Sequence, residues 1–233
     1  MNIPTPPSET TAFVQTLRLF SDLSPGDCGT IISAGREKRL WRCQTIFFEG
    51  DPAEHVMMLL SGCVKLTQVG PNGSEVILRL SGIGEVLGTY CPGTNGKYFS
   101  TAQVIQPSKA LVWPVETFER LLDRFPVFRR NAFRALEESL REIEQRFREL
   151  STQSVGPRLS SELIRLSSRF GSGVNGDGEI RLSRKELAQL TGTTVYTVSR
   201  FLTQWQQLGI VSIRREVVQV CDLSALTQLT LSE

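Results

Sequence analysis

The chain has 233 residues, of which 40% are hydrophobic and 21% are charged, a composition typical of one large globular domain or two modest ones. No apolar run approaches the roughly 18 residues that a bilayer-crossing helix needs, so we expect no membrane partner. The formal net charge of +2 is too small to indicate nucleic-acid binding by itself.

The N-terminus and the cysteines indicate the compartment. Residues 1–12 are polar, lack the layout of a secretory signal and predict a flexible tail. The cysteines are odd in number, scattered and never spaced as Cys-x-x-Cys, so neither a disulfide framework nor a metal site follows. They are Cys28, Cys43, Cys63, Cys91 and Cys221. We therefore expect a cytoplasmic protein with reduced thiols.

Residues 13–125 predict two short helices followed by an antiparallel β-roll. Phe13, Leu17 and Phe20 give the first helix one apolar side, and Ser24-Pro25 is a start signal for the second. Between residues 36 and 115, short apolar runs alternate with glycine-containing turns, as is typical of a closed antiparallel barrel or roll. Pro71-Asn72-Gly73 predicts a hairpin.

Residues 126–154 predict one long helix with a narrow apolar stripe, which we call the seam. Its residues recur at alternating spacings of three and four between arginines and glutamates, a pattern typical of a coiled coil. They are Phe133, Leu136, Leu140, Ile143, Phe147 and Leu150. A helix lying on its own β-domain is the alternative. We expect the seam to pair with a second copy, which makes the protein a homodimer.

Residues 155–233 predict a winged helix-turn-helix. Ser183 and Glu186 form a capping box, Gly192 ends the first helix, and Thr193 or Thr194 caps the second. Two strands turn at Arg214 and Arg215, and a short helix closes the chain. An ordinary helical hairpin is the alternative, but capping, turn and small-residue signals agree on the motif.

The second helix leaves hydrogen-bonding side chains off its apolar stripe, at the end that enters a major groove in such motifs. These are Thr194, Tyr196, Thr197, Ser199 and Arg200. Basic residues also exceed acidic ones between positions 179 and 220, although the whole chain is nearly neutral. Double-stranded DNA is therefore the expected partner. The wing residues Arg214 and Arg215 are candidate phosphate contacts, with a solvated turn as the alternative.

This order of elements, and above all the run LSRKELAQLTGTTVYTVSRFL at residues 182–202, resembles the CRP/FNR family of bacterial transcription regulators. The resemblance implies an α+β fold with a β-roll of the cyclic-nucleotide-binding type, a long dimerisation helix and a winged helix-turn-helix. It also implies a palindromic promoter site, contact with RNA polymerase and a signal sensed at the roll.

Family roles carry over where the residues match. The resemblance implies phosphate contacts for Ser183, Arg184 and Lys185, and base readout for Ser199 and Arg200. Such an arginine binds a guanine edge through two hydrogen bonds. The family usually has a glutamate three positions before that serine, but this chain has Tyr196. The phenol can meet a base edge or a thymine methyl, or contact only phosphate or sugar.

The sequence does not identify the effector. The family's cyclic-nucleotide cassette matches a segment in which Thr89 replaces the ribose glutamate and Phe99 replaces the phosphate arginine. A buried phosphate would lack its counter-charge there, so cAMP is not expected, although another small molecule can occupy the same place. Gly88, Thr89, Phe99 and Ser100 mark this predicted effector pocket.

Other sensing chemistries are weighed in the same way. Cys28 stands alone near the N-terminus, so an iron–sulfur cluster is not supported. Haem stays open, with His55 as the only histidine, and so does redox sensing at Cys63 or Cys91. A sensing module whose winged helix binds protein instead of DNA is the alternative function. No catalytic constellation indicates an enzyme.

Overall fold

The computed structural model describes residues 9–88, 96–170, 179–215 and 217–230. Two compact units divide this part of the chain. The first contains residues up to 67 together with 80–141, and the second contains 68–79 together with the residues from 142 onward. No helix in the described ranges combines the length and apolarity that crossing a membrane requires.

An antiparallel sheet forms the centre of the first unit, although its hairpin end at residues 68–79 belongs to the second. Its strands are β1 (Arg36–Leu40), β2 (Thr45–Phe47), β3 (His55–Val69), β4 (Glu75–Ser81), β5 (Val86–Leu87) and β6 (Thr101–Pro114). The order is β1-β6-β3-β4, with β2 also on β6 and β5 also on β3. The predicted hairpin between β3 and β4 is confirmed, with Gly73 at φ +78° in the turn.

Strand β3 is longer than the sequence pattern predicts, because it runs through Gly62 without ending. The pairing with β6 shifts register on both sides of this residue, which is the mark of a β-bulge. Gly62 has φ +86°, and a Cβ there would lie 2.1 Å from Oγ of Ser108. Glycine is therefore required by conformation and by space, and two predicted runs form one strand of 15 residues.

Both faces of β3 are buried. Met57 and Leu59 point into the interior of the roll, where Tyr98 also lies. Val56 and Met58 face a second core, built with the helices α1 (Glu9–Gln15), α2 (Pro25–Ser33) and α3 (Val115–Arg124). The indole of Trp113 in this second core donates a hydrogen bond of 2.9 Å to the carbonyl oxygen of Ile31. Burial on both faces explains why β3 reads as a continuous apolar run.

Helix α4 (Pro126–Thr152) has 27 residues and carries the seam. All six seam residues are exposed in the single chain, by between 38% for Leu136 and 71% for Phe147. Near its start, the amide of Asn131 donates to the carbonyl oxygens of Leu19 and Ser21, at 3.2 and 2.7 Å. The helix thus presents an apolar face that the chain itself leaves in contact with water.

The second unit contains a winged helix-turn-helix, which we call the head. It consists of α5 (Val155–Phe170), β7 (Glu179–Ile180), α6 (Arg184–Thr191), α7 (Val195–Gln207), β8 (Val211–Arg214), β9 (Val217–Val220) and α8 (Leu223–Leu229). The three strands lie in the order β7-β9-β8. The buried interior of the head includes leucines of α5 together with Leu187 of α6 and Val198 and Trp205 of α7, and α5 contacts both of those helices.

Candidate nucleic-acid interface

Helix α6 begins and ends as the sequence predicts. Oγ of Ser183 accepts a 3.2 Å hydrogen bond from the amide of Glu186, and the carboxylate of Glu186 accepts a 2.8 Å bond from the amide of Ser183. This reciprocal pair satisfies two amides that the first helical turn leaves free. Gly192 ends the helix in the left-handed conformation, at φ +60°.

Thr194, and not Thr193, caps the recognition helix α7. Its Oγ1 accepts a 3.1 Å hydrogen bond from the amide of Thr197, and the hydroxyls of the two threonines lie 3.0 Å apart. Val198, Leu202 and Trp205 are buried along one side of α7. The opposite side is consequently fixed toward solvent, and the two threonine hydroxyls already have partners within the helix.

The exposed side of α7 forms a surface groove. Tyr196 is 78% exposed, and Arg200 is exposed with its guanidinium 5.3 Å from the ring centre of Phe201. The lining residues are Tyr196, Ser199, Arg200, Thr203, Gln204 and Gln207. The last three were missed from the sequence, although Thr203 and Gln204 follow Arg200 by three and four positions and Gln207 follows Gln204 by three, which places them on the same helix face.

A second groove joins the start of α6 to the wing formed by β8 and β9. Ser183, Arg184, Arg214 and Arg215 all line it, and Lys185 is exposed one residue further along α6. Nη1 of Arg184 also lies 3.4 Å from Oγ of Ser199 on α7. The fold therefore brings Arg184 close to Arg214 and Arg215, which lie 30 and 31 positions further along the chain, beside the recognition helix.

Helix α5 contacts α6, α7 and α8. Nε of Arg158 donates to the carbonyl oxygen of Thr191 at 3.2 Å, and Oγ of Ser160 donates to that of Leu226. A Cβ on Gly156 would lie 3.1 Å from the ring of Phe201. These contacts make α5 part of the head, so any displacement of α5 carries α7 with it.

The predicted effector pocket falls partly on described residues. Gly88 has φ +94°, and a Cβ there would lie 2.7 Å from the carbonyl oxygen of His55. Phe99 is 63% exposed and Ser100 is half-buried, while Thr89 lies outside the described residues. Gly88 thus packs closely against the first residue of β3, and Ser100 is partly covered. The side chain of Phe99 instead faces solvent.

Tyr98, which the sequence did not single out, is a buried aromatic residue of this region. Its ring stacks on Phe47 at 3.8 Å between centres. Its hydroxyl donates to the carbonyl oxygen of His55 at 3.0 Å and accepts from the amide of His55 at 3.1 Å. Burial raises the pKa of this phenol above its usual value, and the bonds with the main chain oppose that shift.

The other candidate sensing residues are placed as follows. The side chain of His55 is 30% exposed and lies 4.0 Å from Glu54. Cys28 and Cys63 are buried, and burial raises the pKa of the Cys28 thiol, which makes it a poor nucleophile. Cys91 lies outside the described residues. Within the described ranges, no three His, Cys, Asp or Glu side chains group as metal ligands would.

Comparison with known proteins identifies the family. The cyclic nucleotide-binding domain matches residues 37–125, and the Crp-like helix-turn-helix domain matches residues 157–229. The global nitrogen regulator of Synechocystis sp. is 32% identical over 193 residues, which cover 80% of this chain and 85% of that protein. The chain belongs to the CRP/FNR family of transcriptional regulators.

More distant relatives cover most of the chain as well. The fumarate and nitrate reduction regulatory protein of Escherichia coli is 27% identical over 196 residues, covering 83% of this chain and 78% of that protein. The solved structure of FixK2 from Bradyrhizobium japonicum superimposes with a TM-score of 0.75 at 20% identity, over 85% of this chain and 98% of that one. The predicted α+β fold and the predicted class of DNA-binding transcriptional regulator are confirmed.

Proposed function

We propose that this CRP/FNR regulator works as a homodimer that binds a palindromic promoter site through two copies of the head. The observation that supports this proposal most directly is the position of Arg200, which is exposed on the solvent side of α7. It lines one groove, and a second groove with three arginines lies beside it. A guanidinium in this position can bind O6 and N7 of a guanine, worth about 1–3 kcal/mol of discrimination.

The seam supports the dimer. Six large apolar side chains, each at least 38% exposed, lie along one side of α4. Burying them against a second α4 removes this apolar surface from water, which is the main driving force for such pairing. A parallel pair has a two-fold axis, and that axis directs two identical heads to the two halves of a palindrome.

The contacts divide into positioning and reading. Ser183, Arg184, Lys185 and the wing arginines Arg214 and Arg215 contact phosphates, which fix register and carry no sequence information. Arg200 and Ser199 read base edges, with Thr194 and Thr197 beside them at the helix start. Tyr196 meets a base edge or thymine methyl, or else phosphate or sugar, and the 78% exposure of its side chain suits both roles.

The β-roll receives the signal in this proposal, and RNA polymerase is the partner at the promoter. A small-molecule effector near Gly88 and Ser100 is the form of signal that the matched cyclic nucleotide-binding domain favours. Thr89 and Phe99 stand where cAMP-binding members have the ribose glutamate and the phosphate arginine. Without that arginine, the phosphate of cAMP would lack its counter-charge, so cAMP fits poorly. Haem remains the alternative, and an absorbance spectrum of the purified protein tests it.

Binding-site selection on the purified protein, followed by Arg200→Ala, tests the proposal. We expect wild type to select a palindrome, and Arg200→Ala to lose about 10–100-fold of its preference for one guanine per half-site while keeping nonspecific affinity. Arg124→Ala is a matched control, since its guanidinium lies 5.2 Å from the ring of the following residue, Phe125. Selection of unrelated sequences, or an unchanged guanine preference, would contradict the proposal.

A further inference from the structure

A cluster of six charged residues joins α4 to α5, and we call it the charge cluster. Helix α4 contributes Glu142, Arg146 and Glu149, and helix α5 contributes Glu162, Arg165 and Arg169. Three cations face three anions, so the cluster is neutral as a whole. All six residues belong to the second compact unit.

Arg165 is the centre of the cluster. Its two terminal nitrogens donate to the two carboxylate oxygens of Glu149, both at 2.8 Å, in the bidentate arrangement. Nε and Nη2 of the same guanidinium donate to Oε2 of Glu162, at 3.1 and 2.8 Å. One planar group therefore fixes a carboxylate from each helix, and its geometry permits little rotation of either helix.

Arg146 and Arg169 complete the connection. Nη2 of Arg146 donates to Glu162 at 2.5 Å, and its Nη1 donates to the carbonyl oxygen of Leu78 at 2.8 Å. Arg169 donates both terminal nitrogens to Glu142, at 3.1 and 3.2 Å. The contacts between α4 and α5 thus extend from Glu142 to Glu149 and involve two bidentate pairs.

The cluster is more deeply buried than stability alone would favour. The side chain of Glu162 is 1% exposed and that of Glu149 is 6% exposed. Moving such ions out of water has a large cost in free energy, and apolar residues of similar size often hold two helices equally well. A buried charge network differs from an apolar contact in directionality, because its hydrogen bonds form at only one relative orientation of the helices.

The orientation of α5 matters because α5 is built into the head. Leu159, Leu163 and Leu166 are its buried apolar side, while Glu162, Arg165 and Arg169 lie on the side toward α4. Arg158 and Gly156 of α5 contact α6 and α7, as described above. A change in the angle between α4 and α5 would therefore move the recognition helix as a rigid part of the head.

We propose that the charge cluster determines which spacing between two half-sites the dimer accepts. This inference rests on the proposed function, since it assumes two heads carried by a paired α4. Half-sites read by such dimers are one helical turn of DNA apart, roughly 34–36 Å. One additional base pair moves a half-site by about 3.4 Å along the duplex and also rotates it, so a rigid head cannot follow it.

The experiment uses the full chain and a series of duplexes with the selected half-sites. The spacer between the half-sites is lengthened or shortened by one base pair at a time, and a duplex with a single half-site is included. We expect the affinity of wild type to fall about tenfold or more for one base pair of change, comparable to a mismatch within a site. Glu162→Gln should flatten this dependence to less than about threefold and leave single half-site affinity within about twofold.

A second variant separates orientation from charge. Arg165→Lys keeps the positive charge but cannot form the bidentate pair with Glu149, so we expect it to broaden the spacing profile as well. Arg141→Ala is the control, because it removes an α4 ion pair whose two side chains are 73% and 59% exposed, and its profile should equal that of wild type. Thermal unfolding and light scattering identify the variants that remain folded dimers.

The outcomes are distinct. A folded, dimeric Glu162→Gln or Arg165→Lys with the same sharp profile as wild type overturns the inference. If neither buried variant folds, Arg169→Ala, at a side chain that is 31% exposed, supplies the same measurement with the same criterion. A wild type that binds one half-site as tightly as a palindrome contradicts the proposed function instead.

Discussion

At the scale of single residues, Gly192 is the point at which the turn of the helix-turn-helix lies close to Leu150, near the end of α4. It has φ +60°, and a Cβ at this position would lie 2.7 Å from Cδ2 of Leu150. A side chain here therefore carries both backbone strain and a steric conflict. The tight turn between α6 and α7 depends on the absence of that side chain.

We expect Gly192→Ala to lower the free energy of unfolding by about 1–3 kcal/mol, and urea denaturation measures this. Gly209→Ala is the matched control, since Gly209 also has a positive φ, of +73°, but no heavy atom within 4 Å of the added Cβ. It should cost less, because only the backbone term remains. Equal losses in the two variants would show that Leu150 moves aside without cost.

Residue-level signals were the most predictable part of the structure. The capping box at Ser183 and the glycine at position 192 follow from local chemistry alone, and both are present. The sequence alone does not distinguish Thr193 from Thr194 as the N-cap of α7, because either hydroxyl can cap a helix. The structure selects Thr194, whose backbone is extended at φ −95° and ψ 153°.

At the scale of elements, local patterns predicted helices well and their connections poorly. The spacing of the seam predicts α4 and its exposed face, but the pairs Arg146–Glu162 and Arg165–Glu149 join residues 16 positions apart on two helices. Their charges resemble an ordinary solvated flank of a coiled coil. Only the packing of α4 on α5 shows that Glu162 is buried, so the sequence alone could not predict the charge cluster.

The long strands follow the same rule. The sequence pattern predicts a turn at Gly62, because glycine after an apolar run usually ends a strand. It sits instead in a bulge where Ser108 of β6 approaches too closely for any side chain. Whether a glycine ends a strand or bends it depends on the neighbouring strand, and this information is not local.

The seam gives the prediction at the element scale. Ile143→Glu places a carboxylate in the middle of the seam, and pairing would bring two such charges together in an apolar contact. We expect the dimer dissociation constant to rise roughly 100-fold or more, measured by analytical ultracentrifugation or light scattering. Glu144→Gln, at the exposed neighbour outside the seam, should leave it unchanged. A wild type that is monomeric at high concentration would contradict the paired helix.

At the scale of the whole molecule, acid should weaken the fold through Glu149. Burial alone would raise the pKa of this carboxyl, but hydrogen bonds from Arg165 and Gln145 and nearby positive charges hold the pKa below its usual value of 4.5. The ionised form therefore stabilises the folded state. This contribution is fully present at neutral pH and is lost as the pH falls below about 4.5, through the folded-state pKa.

Urea unfolding at a series of pH values tests this effect. We expect the free energy of unfolding of wild type to fall more steeply between about pH 5 and pH 3 than that of Glu149→Gln, which has no proton to bind. Glu137→Gln is the control, since this α4 carboxyl is 59% exposed and should leave the wild-type slope unchanged. If the free energy of unfolding depends on pH in the same way for wild type and Glu149→Gln, Glu149 does not contribute to the loss of stability in acid.

The distribution of charge over the molecule also predicts how DNA binding depends on salt. A formal net charge of +2 gives little overall attraction, so phosphate contacts must come from the basic residues gathered at the start of α6 and in the wing. Replacing Arg214 and Arg215 by alanine removes four positive charges from a dimer. Each lost phosphate contact lowers the slope of log K against log salt concentration by about 0.9, so we expect a slope roughly 3.6 smaller.

Gel-shift titrations at several salt concentrations measure this slope, with the double variant Arg214→Ala/Arg215→Ala compared with wild type. Relative affinities for different operator sequences should change little, because phosphate contacts do not distinguish bases. Arg124→Ala, an exposed arginine of α3, provides the control and should keep the wild-type slope. An unchanged slope in the double variant would mean that the wing stands clear of DNA and that α6 and α7 supply the phosphate contacts alone.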